Sequence, residues 1–124
     1  MAQPITSRPE LGLVGNAAMV FIGTGRYMGL ADIGDTTQQT IYGIKDRLTS
    51  ASYGDPRATA NAFVKQTLTA GTCPAGLGAC TAGSAVRVNG TPRPVNLNLN
   101  GGWYMDLPTT TSATTPTRSW SAAC

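Results

Sequence analysis

The first third of the chain contains two segments whose apolar and β-branched residues predict strands. Residues 17–22 form a short apolar run that stops at Gly23-Thr24-Gly25, which is typical of a buried strand. Residues 36–46 have high strand propensity and alternate between two faces. The intervening segment, 26–35, carries two glycines and is too short and too interrupted for a stable helix. This part of the chain therefore predicts strands and turns.

The stretch that follows Asp55 fits two interpretations. Asp55 could cap a helix whose first residue is Pro56, since proline is favoured at that position. Residues 63–69, however, alternate apolar and polar residues as a strand does. We expect a short helical turn at 56–61 followed by a strand at 63–69.

The last third of the chain predicts a short strand and then a hairpin. Residues 84–88 form the short strand, and residues 95–99 alternate strictly between apolar and polar side chains. The sequence Asn100-Gly101-Gly102 is a hairpin signal, and residues 103–107 return from it. Pro108 then ends the pairing, because proline cannot donate to a strand ladder.

Composition supports one mostly β domain followed by a tail. Charged residues make up 12% of the 124 residues, about half the usual share, while the chain has 15 glycines and 8 prolines. The tail, 109–124, is a Thr/Ser/Pro segment of low complexity, and we expect it to be a flexible extension. The chain has no apolar run near the roughly 18 residues of a membrane span, and no signal peptide is evident at its start.

Charge and the absence of histidine exclude several classes of function. Without histidine the chain cannot form a Ser/His/Asp or Cys/His nucleophilic site, or a metal site that uses histidine ligands. The net charge is +3, but the nine basic residues are spread almost evenly. Because no basic stripe interleaved with aromatic residues is present, we expect no nucleic-acid binding.

The three cysteines indicate an oxidising compartment. Cys73 and Cys80 flank a Gly/Pro-rich stretch that can turn back within disulfide reach, although two free thiols remain the alternative. Cys124 is the odd cysteine, and we expect it to pair with another molecule or with a continuation of the chain.

One glycine pattern imitates a nucleotide-binding motif. Gly23, Gly25 and Gly29 follow a predicted strand, and Asp46 lies roughly 20 residues further on, as in a dinucleotide-binding fingerprint. The spacing differs from that fingerprint, and no helix follows to hold a pyrophosphate at its N-terminus. We therefore expect these glycines to serve a tight turn.

Other polar and aromatic residues are candidates for binding or catalytic sites. Asp32 and Asp35 supply too few oxygens for a calcium loop, and a turn cap is favoured for Asp35. Nothing in the spacing brings them to Asp46 or Asp106 at the separation that a glycosidase needs. A core position is favoured over a ligand platform for Trp103 and its neighbour Tyr104. The sequence therefore predicts no catalytic residue, no metal ligand and no cofactor.

An ordered set of segments carries a resemblance to a known family. The set comprises residues 4–11, 20–29 with the motif V-F-I-G-T-G-R-Y-M-G, Asp32, 39–46 with Q-T-I-Y-G-I-K-D, 64–69, and 102–108 with G-W-Y-M-D-L-P. Together these segments resemble the β-propeller domain of PilC/PilY-type proteins, the tip adhesins and assembly proteins of type IV pili. The resemblance covers about residues 4–108, in the same order as in the family.

The resemblance implies both a fold and a function. The fold is mostly β, with antiparallel sheets that form two to three blades of an incomplete propeller over 1–108, because a blade takes about 40–50 residues. Gly23, Thr24 and Gly25 form the family-motif turn. The function is that of a non-enzymatic extracellular component of a pilus tip, assembly and adhesion complex, which binds pilin or minor pilin subunits or surfaces. Such a protein is secreted through a signal that this chain does not contain.

Several features depart from the family pattern. The stretch from Cys73 to Cys80 resembles a local insertion, and a Thr-rich tail follows Pro108 where the family has a Gly-Glu-Arg stretch. The acidic calcium loop of several members is absent from the sequence, so calcium dependence cannot be transferred. No adhesive residue can be transferred either.

Two other functions remain as alternatives. One is a self-assembling extracellular fibre subunit, which would form homo-oligomers through open strand edges. The other is a fragment of a quinone-dependent propeller dehydrogenase, which would bind a quinone together with Ca2+.

Overall fold

The structure is a computed structural model, and it describes residues 3–26, 30, 34, 36–59 and 62–108. The described part is mostly β, as predicted. Its strands are β1 (Glu10–Val14), β2 (Ala17–Gly23), β3 (Thr40–Lys45), β4 (Phe63–Gln66), β5 (Thr69–Thr72), β6 (Ala85–Val88) and β7 (Gly102–Asp106).

The strands form one large and one small sheet. The large sheet has the order β1-β2-β3-β7-β4, and each of its first four strands is antiparallel to the next one in this order. Strand β4 joins the far side of β7 in parallel, which makes the sheet mixed. Strands β5 and β6 form a separate antiparallel pair. The expected two to three propeller blades are not confirmed, since the described residues form these two sheets and no closed barrel or propeller.

Strand β1 and its hairpin with β2 were not predicted from the sequence. The turn consists of Gly15 and Asn16, which connect the directly paired residues Val14 and Ala17. Gly15 has a φ of 59°, and a two-residue turn of type II′ requires glycine at this first position. The strand predicted from the apolar run at 17–22 is thereby confirmed as the second strand of a hairpin.

The strand and hairpin predicted at 95–102 are wrong. The side chain of Asn96 accepts a hydrogen bond from the backbone N–H of Asn98 at 3.0 Å, and the side chain of Asn100 accepts one from the N–H of Asn96 at 2.9 Å. The carbonyl of Asn96 also accepts bonds from the N–H groups of Leu99 and Asn100. Asparagine side chains thus satisfy the local backbone in a turn, in competition with a strand ladder. The strand predicted at 103–107 is confirmed as β7, which lies between β3 and β4.

The region between β3 and β5 contains a turn and a shorter strand than predicted. Asp55 accepts hydrogen bonds from the N–H of Arg57 through its side chain and from the N–H of Ala58 through its carbonyl. These bonds form a turn at 56–57, with no α-helix among the described residues there. The predicted strand at 63–69 is divided into β4 and the beginning of β5.

The large sheet is a single layer with two distinct faces. On one side, which we call the tryptophan face, Phe21, Gly43 and Trp103 lie side by side on β2, β3 and β7. On the other side, which we call the tyrosine face, Tyr42 pairs with Tyr104. Most side chains of both faces are half-buried, and the buried apolar residues among those described are Met19, Tyr42 and Cys73. In the described part of the chain, no helix is long and apolar enough to cross a membrane.

Candidate functional site

Three of the segments that carry the family resemblance lie next to one another in the sheet. Residues 20–29 begin in β2, 39–46 include β3, and 102–108 include β7. These three strands are neighbours and antiparallel. The segments at 20–29 and 39–46 are close in the chain, but β7 lies beyond three further strands, so its position beside β3 is a tertiary arrangement.

Gly23, Thr24 and Gly25 continue the sheet beyond the end of β2. The N–H of Thr24 donates to the carbonyl of Thr40 at 2.9 Å, and its hydroxyl accepts from the N–H of Thr40 at 2.8 Å. Gly25 has a φ of 141°, and its N–H donates to the carbonyl of Pro4 at 2.8 Å. The motif therefore joins β2 to β3 and to the segment that precedes β1.

The hydroxyls of Thr6 and Ser7 reinforce this junction. Thr6 donates to the carbonyl of Gly25 at 2.8 Å, and Ser7 donates to the carbonyl of Gly23 at 3.2 Å. The resemblance segment at 4–11 is thus bound to the glycine motif at 23–25, although the two are separated by the β1–β2 hairpin.

The tyrosine face carries a charged network centred on Asp106. One oxygen of Asp106 accepts a hydrogen bond from the hydroxyl of Thr40 at 2.8 Å and forms an ion pair with the Nη2 atom of Arg57. The other oxygen accepts from the Nη1 atom of Arg57 at 3.2 Å and lies 3.5 Å from the Nζ atom of Lys65. The guanidinium of Arg57 also lies 4.8 Å from the ring centroid of Tyr104.

The network shifts the ionisation of both partners toward their charged forms. Hydrogen bonding to Arg57 is the largest cause that lowers the pKa of Asp106, and the hydroxyl of Thr40 and the charge of Lys65 act in the same direction. Hydrogen bonding to Asp106 in turn raises the pKa of Arg57. A carboxylate held ionised in this way is a poor proton donor at neutral pH, so the geometry favours a positioning role over general acid chemistry.

Gln3 extends the network to the segment before β1. The hydroxyl of Tyr42 donates to Oε1 of Gln3 at 2.7 Å, and Nε2 of Gln3 donates to the hydroxyl of Thr40 and to the carbonyl of Gln38, both at 2.8 Å. Tyr42 is only 9% exposed, so its hydroxyl would destabilise the fold if it lacked a hydrogen-bond partner. The residues that connect the strands on this face are therefore polar.

The tryptophan face is held by the packing of aromatic rings over glycine. The rings of Phe21 and Trp103 have centroids 6.4 Å apart, and Gly43 lies between them on β3. A Cβ atom at Gly43 would overlap the indole, with Cε2 at 2.5 Å and Cζ2 at 2.8 Å. The indole can cross β3 because position 43 has no side chain. Trp103 and Tyr104 therefore lie on opposite faces and do not form a joint platform.

The carboxylates weighed from the sequence do not come together in the described residues. Asp46 accepts a hydrogen bond from the N–H of Leu48 at 2.7 Å and lies away from the network of Asp106. Asp32 and Asp35 lie outside the described residues. Within the part of the chain that the structure describes, no three His, Cys, Asp or Glu residues gather in a group that could hold a metal ion.

The predicted disulfide between Cys73 and Cys80 is present. Their Cα atoms are 6.1 Å apart, and Cys73 is 3% exposed. The bond closes the turn between β5 and β6, where the N–H of Cys73 donates to the carbonyl of Ser84. Disulfides of this kind are typical of proteins in oxidising compartments. Cys124 lies outside the described residues.

The outer edge of β1 is an exposed feature that the sequence did not predict. No strand among the described residues pairs with this edge, and Leu11 and Leu13 are 79% and 76% exposed. A groove of about 320 Å³ runs beside them, lined also by Val20 and Asp46. The alternation of leucines at 11 and 13, followed by Gly-Asn, is the sequence signal that could have found this strand.

Comparison with known proteins gives no match for this chain: no family model, no curated protein and no solved structure matches it.

Proposed function

We propose that this chain is a non-enzymatic, extracellular component of a type IV pilus tip or assembly complex that binds pilin or minor pilin subunits. The observation that carries the proposal is the placement of three resemblance segments on the adjacent strands β2, β3 and β7. With β1, these strands form a four-stranded antiparallel array, in which β7 joins β3 after three intervening strands. A propeller blade is likewise a four-stranded antiparallel sheet, and this likeness supports the proposal.

The contacts within the sheet support the proposal in a second way. Residues that belong to separate resemblance segments bind one another directly: Thr24 binds Thr40, and Thr40 binds Asp106. Segments that belong to one fold are expected to make contacts that stabilise one another. The disulfide between Cys73 and Cys80 supports an extracellular location.

The described residues also favour binding over catalysis. The carboxylate with the most partners, Asp106, is engaged by Arg57, Lys65 and Thr40 within the sheet. The large sheet instead ends in two strands, β1 and β4, each of which pairs with a single neighbour among the described residues. Exposed strand edges bind proteins through main-chain hydrogen bonds, with side chains that add specificity.

Two measurements test this function. In the bacterium that produces the chain, deletion of its gene should reduce the number of surface pili counted by electron microscopy, and the wild-type gene should restore it. In vitro, the purified chain should bind at least one purified pilin or minor pilin subunit saturably in interferometry, whereas an unrelated β protein of similar charge should not. Unchanged piliation together with no binding to any pilin subunit would contradict the proposal.

A further inference from the structure

The hydrogen-bonding direction of β1 follows from its neighbours. The N–H of Asp46 donates to the carbonyl of Ala18 at 2.8 Å, so Ala18 directs its backbone groups toward β3. Directions alternate along a strand, and Met19 therefore directs its groups toward β1. Met19 is paired with Gly12, so Gly12 is one of the β1 residues whose backbone binds β2.

Leu11 and Leu13 consequently direct their N–H and C=O groups away from the sheet. No other strand in the described residues receives these four groups. Natural edge strands are commonly protected by lysine, proline or a bulge, and β1 contains none of them between its first and last residues. Both leucine side chains also lie on the same face of the sheet and are largely exposed.

We infer that β1 is a self-association strand, which pairs antiparallel with β1 of a second copy of this chain. In the pairing, Leu11 lies opposite the second copy's Leu13, and Gly12 lies opposite Gly12 on the two-fold axis. Each Leu11–Leu13 pair exchanges two main-chain hydrogen bonds, which gives four across the seam. The result is one continuous sheet of ten strands.

The composition of β1 favours a second copy over an unrelated strand. A two-fold interface must be self-complementary, and the leucines of β1 are placed symmetrically about Gly12. Glu10 is the only charged residue of β1, and in this register it faces the second copy's Val14, so no like charges meet. Glycine on the axis allows the close approach of a pair that lacks main-chain hydrogen bonds.

The ends of β1 limit the pairing to this strand. Pro9 precedes it and has no N–H to donate, and the turn at Gly15 follows it. Because a two-fold pairing uses the same edge on both copies, it closes after two chains. The inference thus specifies a dimer and not a filament, and it does not depend on the proposed pilus function.

The first test compares two leucine substitutions of equal exposure. Leu13→Lys places a charge at the seam, whereas Leu99→Lys changes a leucine that is also 76% exposed but lies in the 96–100 turn. Analytical ultracentrifugation of the full chain should show a concentration-dependent dimer for the wild type and for Leu99→Lys. In Leu13→Lys the dimerisation constant should weaken by roughly tenfold or more, because edge lysines oppose strand pairing. Circular dichroism establishes that each variant is folded.

The second test reads the register through a disulfide. In a Cys124→Ser background, the double variant Glu10→Cys with Val14→Cys should form a covalent dimer on mild oxidation, since positions 10 and 14 of the two copies face each other. Each single variant should remain free of the crosslink, because its cysteine faces a residue that cannot pair. Within one chain the two positions are too far apart to bond, since a strand rises about 3.3 Å per residue.

A wild-type chain that is monomeric at all accessible concentrations would overturn the inference. So would a dimer that Leu13→Lys leaves intact, or a filament that extends without limit. A covalent dimer formed equally by the single and double variants would overturn the register.

Discussion

The two faces of the large sheet are stabilised by different physical means, although they use the same strands. On the tryptophan face, Phe21 and Trp103 pack across Gly43, and the fit depends on the absence of a side chain. On the tyrosine face, Thr40 and Asp106 are connected by hydrogen bonds and an ion pair with Arg57. Because alternate residues of β3 and β7 serve the two faces, one sheet combines shape complementarity on one side with polar pairing on the other.

The comparison teaches which perturbations each face should tolerate. Packing over glycine is sensitive to added volume and insensitive to salt. A half-exposed ion-pair network is sensitive to salt and to pH, and its net contribution is modest. The following predictions use these differences, from the largest expected effect to the smallest.

Gly102→Ala is expected to damage both faces at once. Gly102 has a φ of 147°, and a Cβ atom there would overlap the carbonyl oxygen of Gly43 and approach Cε1 of Phe63 to 3.0 Å. Because a backbone carbonyl cannot move aside, we expect a loss of about 3 kcal/mol or more in the free energy of unfolding, measured with urea. Gly23→Ala is the matched control, since a Cβ atom at Gly23 contacts nothing within 4 Å. An equal loss in both variants would contradict the prediction.

Gly43→Val should break the tryptophan face alone. The added side chain would displace the indole of Trp103 from its position over β3, and we expect a cost of about 2 kcal/mol from overpacking. In a Trp120→Phe background, the near-UV circular dichroism of the Trp103 indole should change as its contact with Phe21 is lost. The dependence of stability on salt should stay that of the wild type. A variant with an unaltered indole signal would show that the indole does not occupy this position.

Asp106→Asn should break the tyrosine face and leave the indole signal unchanged. The amide cannot compensate the charge of Arg57, and we expect a loss of about 1 kcal/mol, because the pair is only partly buried. A double-mutant cycle with Arg57→Gln isolates the pair, and the coupling energy should shrink as salt is added. A coupling energy of zero at low salt would be inconsistent with the ion pair.

The pH dependence of stability should distinguish the two faces further. The pKa of Asp106 is lowered by Arg57 in the folded chain, so the unfolded chain binds its proton at higher pH than the folded chain does. The stabilisation is therefore complete above the ordinary aspartate pKa, near 4, and is lost as pH falls through the lower folded value. The stability difference between wild type and Asp106→Asn should be larger at pH 6 than at pH 3. A difference that grows toward low pH would contradict the sign of the shift.

Tyr42→Phe should have the smallest effect of the set. It removes the hydrogen bond from the tyrosine hydroxyl to Gln3 but keeps the ring and its contact with Tyr104. We expect a loss of about 0.5–1 kcal/mol in thermal or urea unfolding. Hydrogen exchange should rise in the segment before β1 and stay unchanged at Trp103. Faster hydrogen exchange at Trp103 would contradict the placement of Tyr42 on the tyrosine face.

The sequence predicted the strands best where apolar residues cluster. The run at 17–22 is β2, and the segment at 36–46 contains β3, because both combine β-branched and aromatic residues with nearby glycines. The alternation at 95–99 was misleading, since the side chains of Asn96 and Asn100 accept hydrogen bonds from backbone N–H groups of the same turn. Alternation alone does not distinguish a strand from such a turn.

The pairing of the strands was beyond the sequence, as was most of the candidate site. The parallel pairing of β4 with β7 joins residues about 40 positions apart, and no local pattern specifies it. The network of Asp106 likewise depends on Arg57 in a distant turn. The disulfide was predicted because its two cysteines are close in the chain and flank a turn. Contacts between residues that are close in the chain could thus be predicted from the sequence. Contacts that depend on the pairing of distant strands could not.

The position of β7 between β3 and β4 also fixes the order in which the sheet can be completed during synthesis. Strands β1, β2 and β3 leave the ribosome first and can form a meander, but the inner edge of β3 stays open until residues 102–106 emerge. Among the described residues, strand β4 has no neighbour in the large sheet except β7, so it too waits for β7. A nascent chain therefore carries unpaired strands while more than fifty residues are added, a period in which strand edges are prone to aggregation. Translation speed and chaperone binding across this interval should influence the yield of the folded chain more than its final stability does.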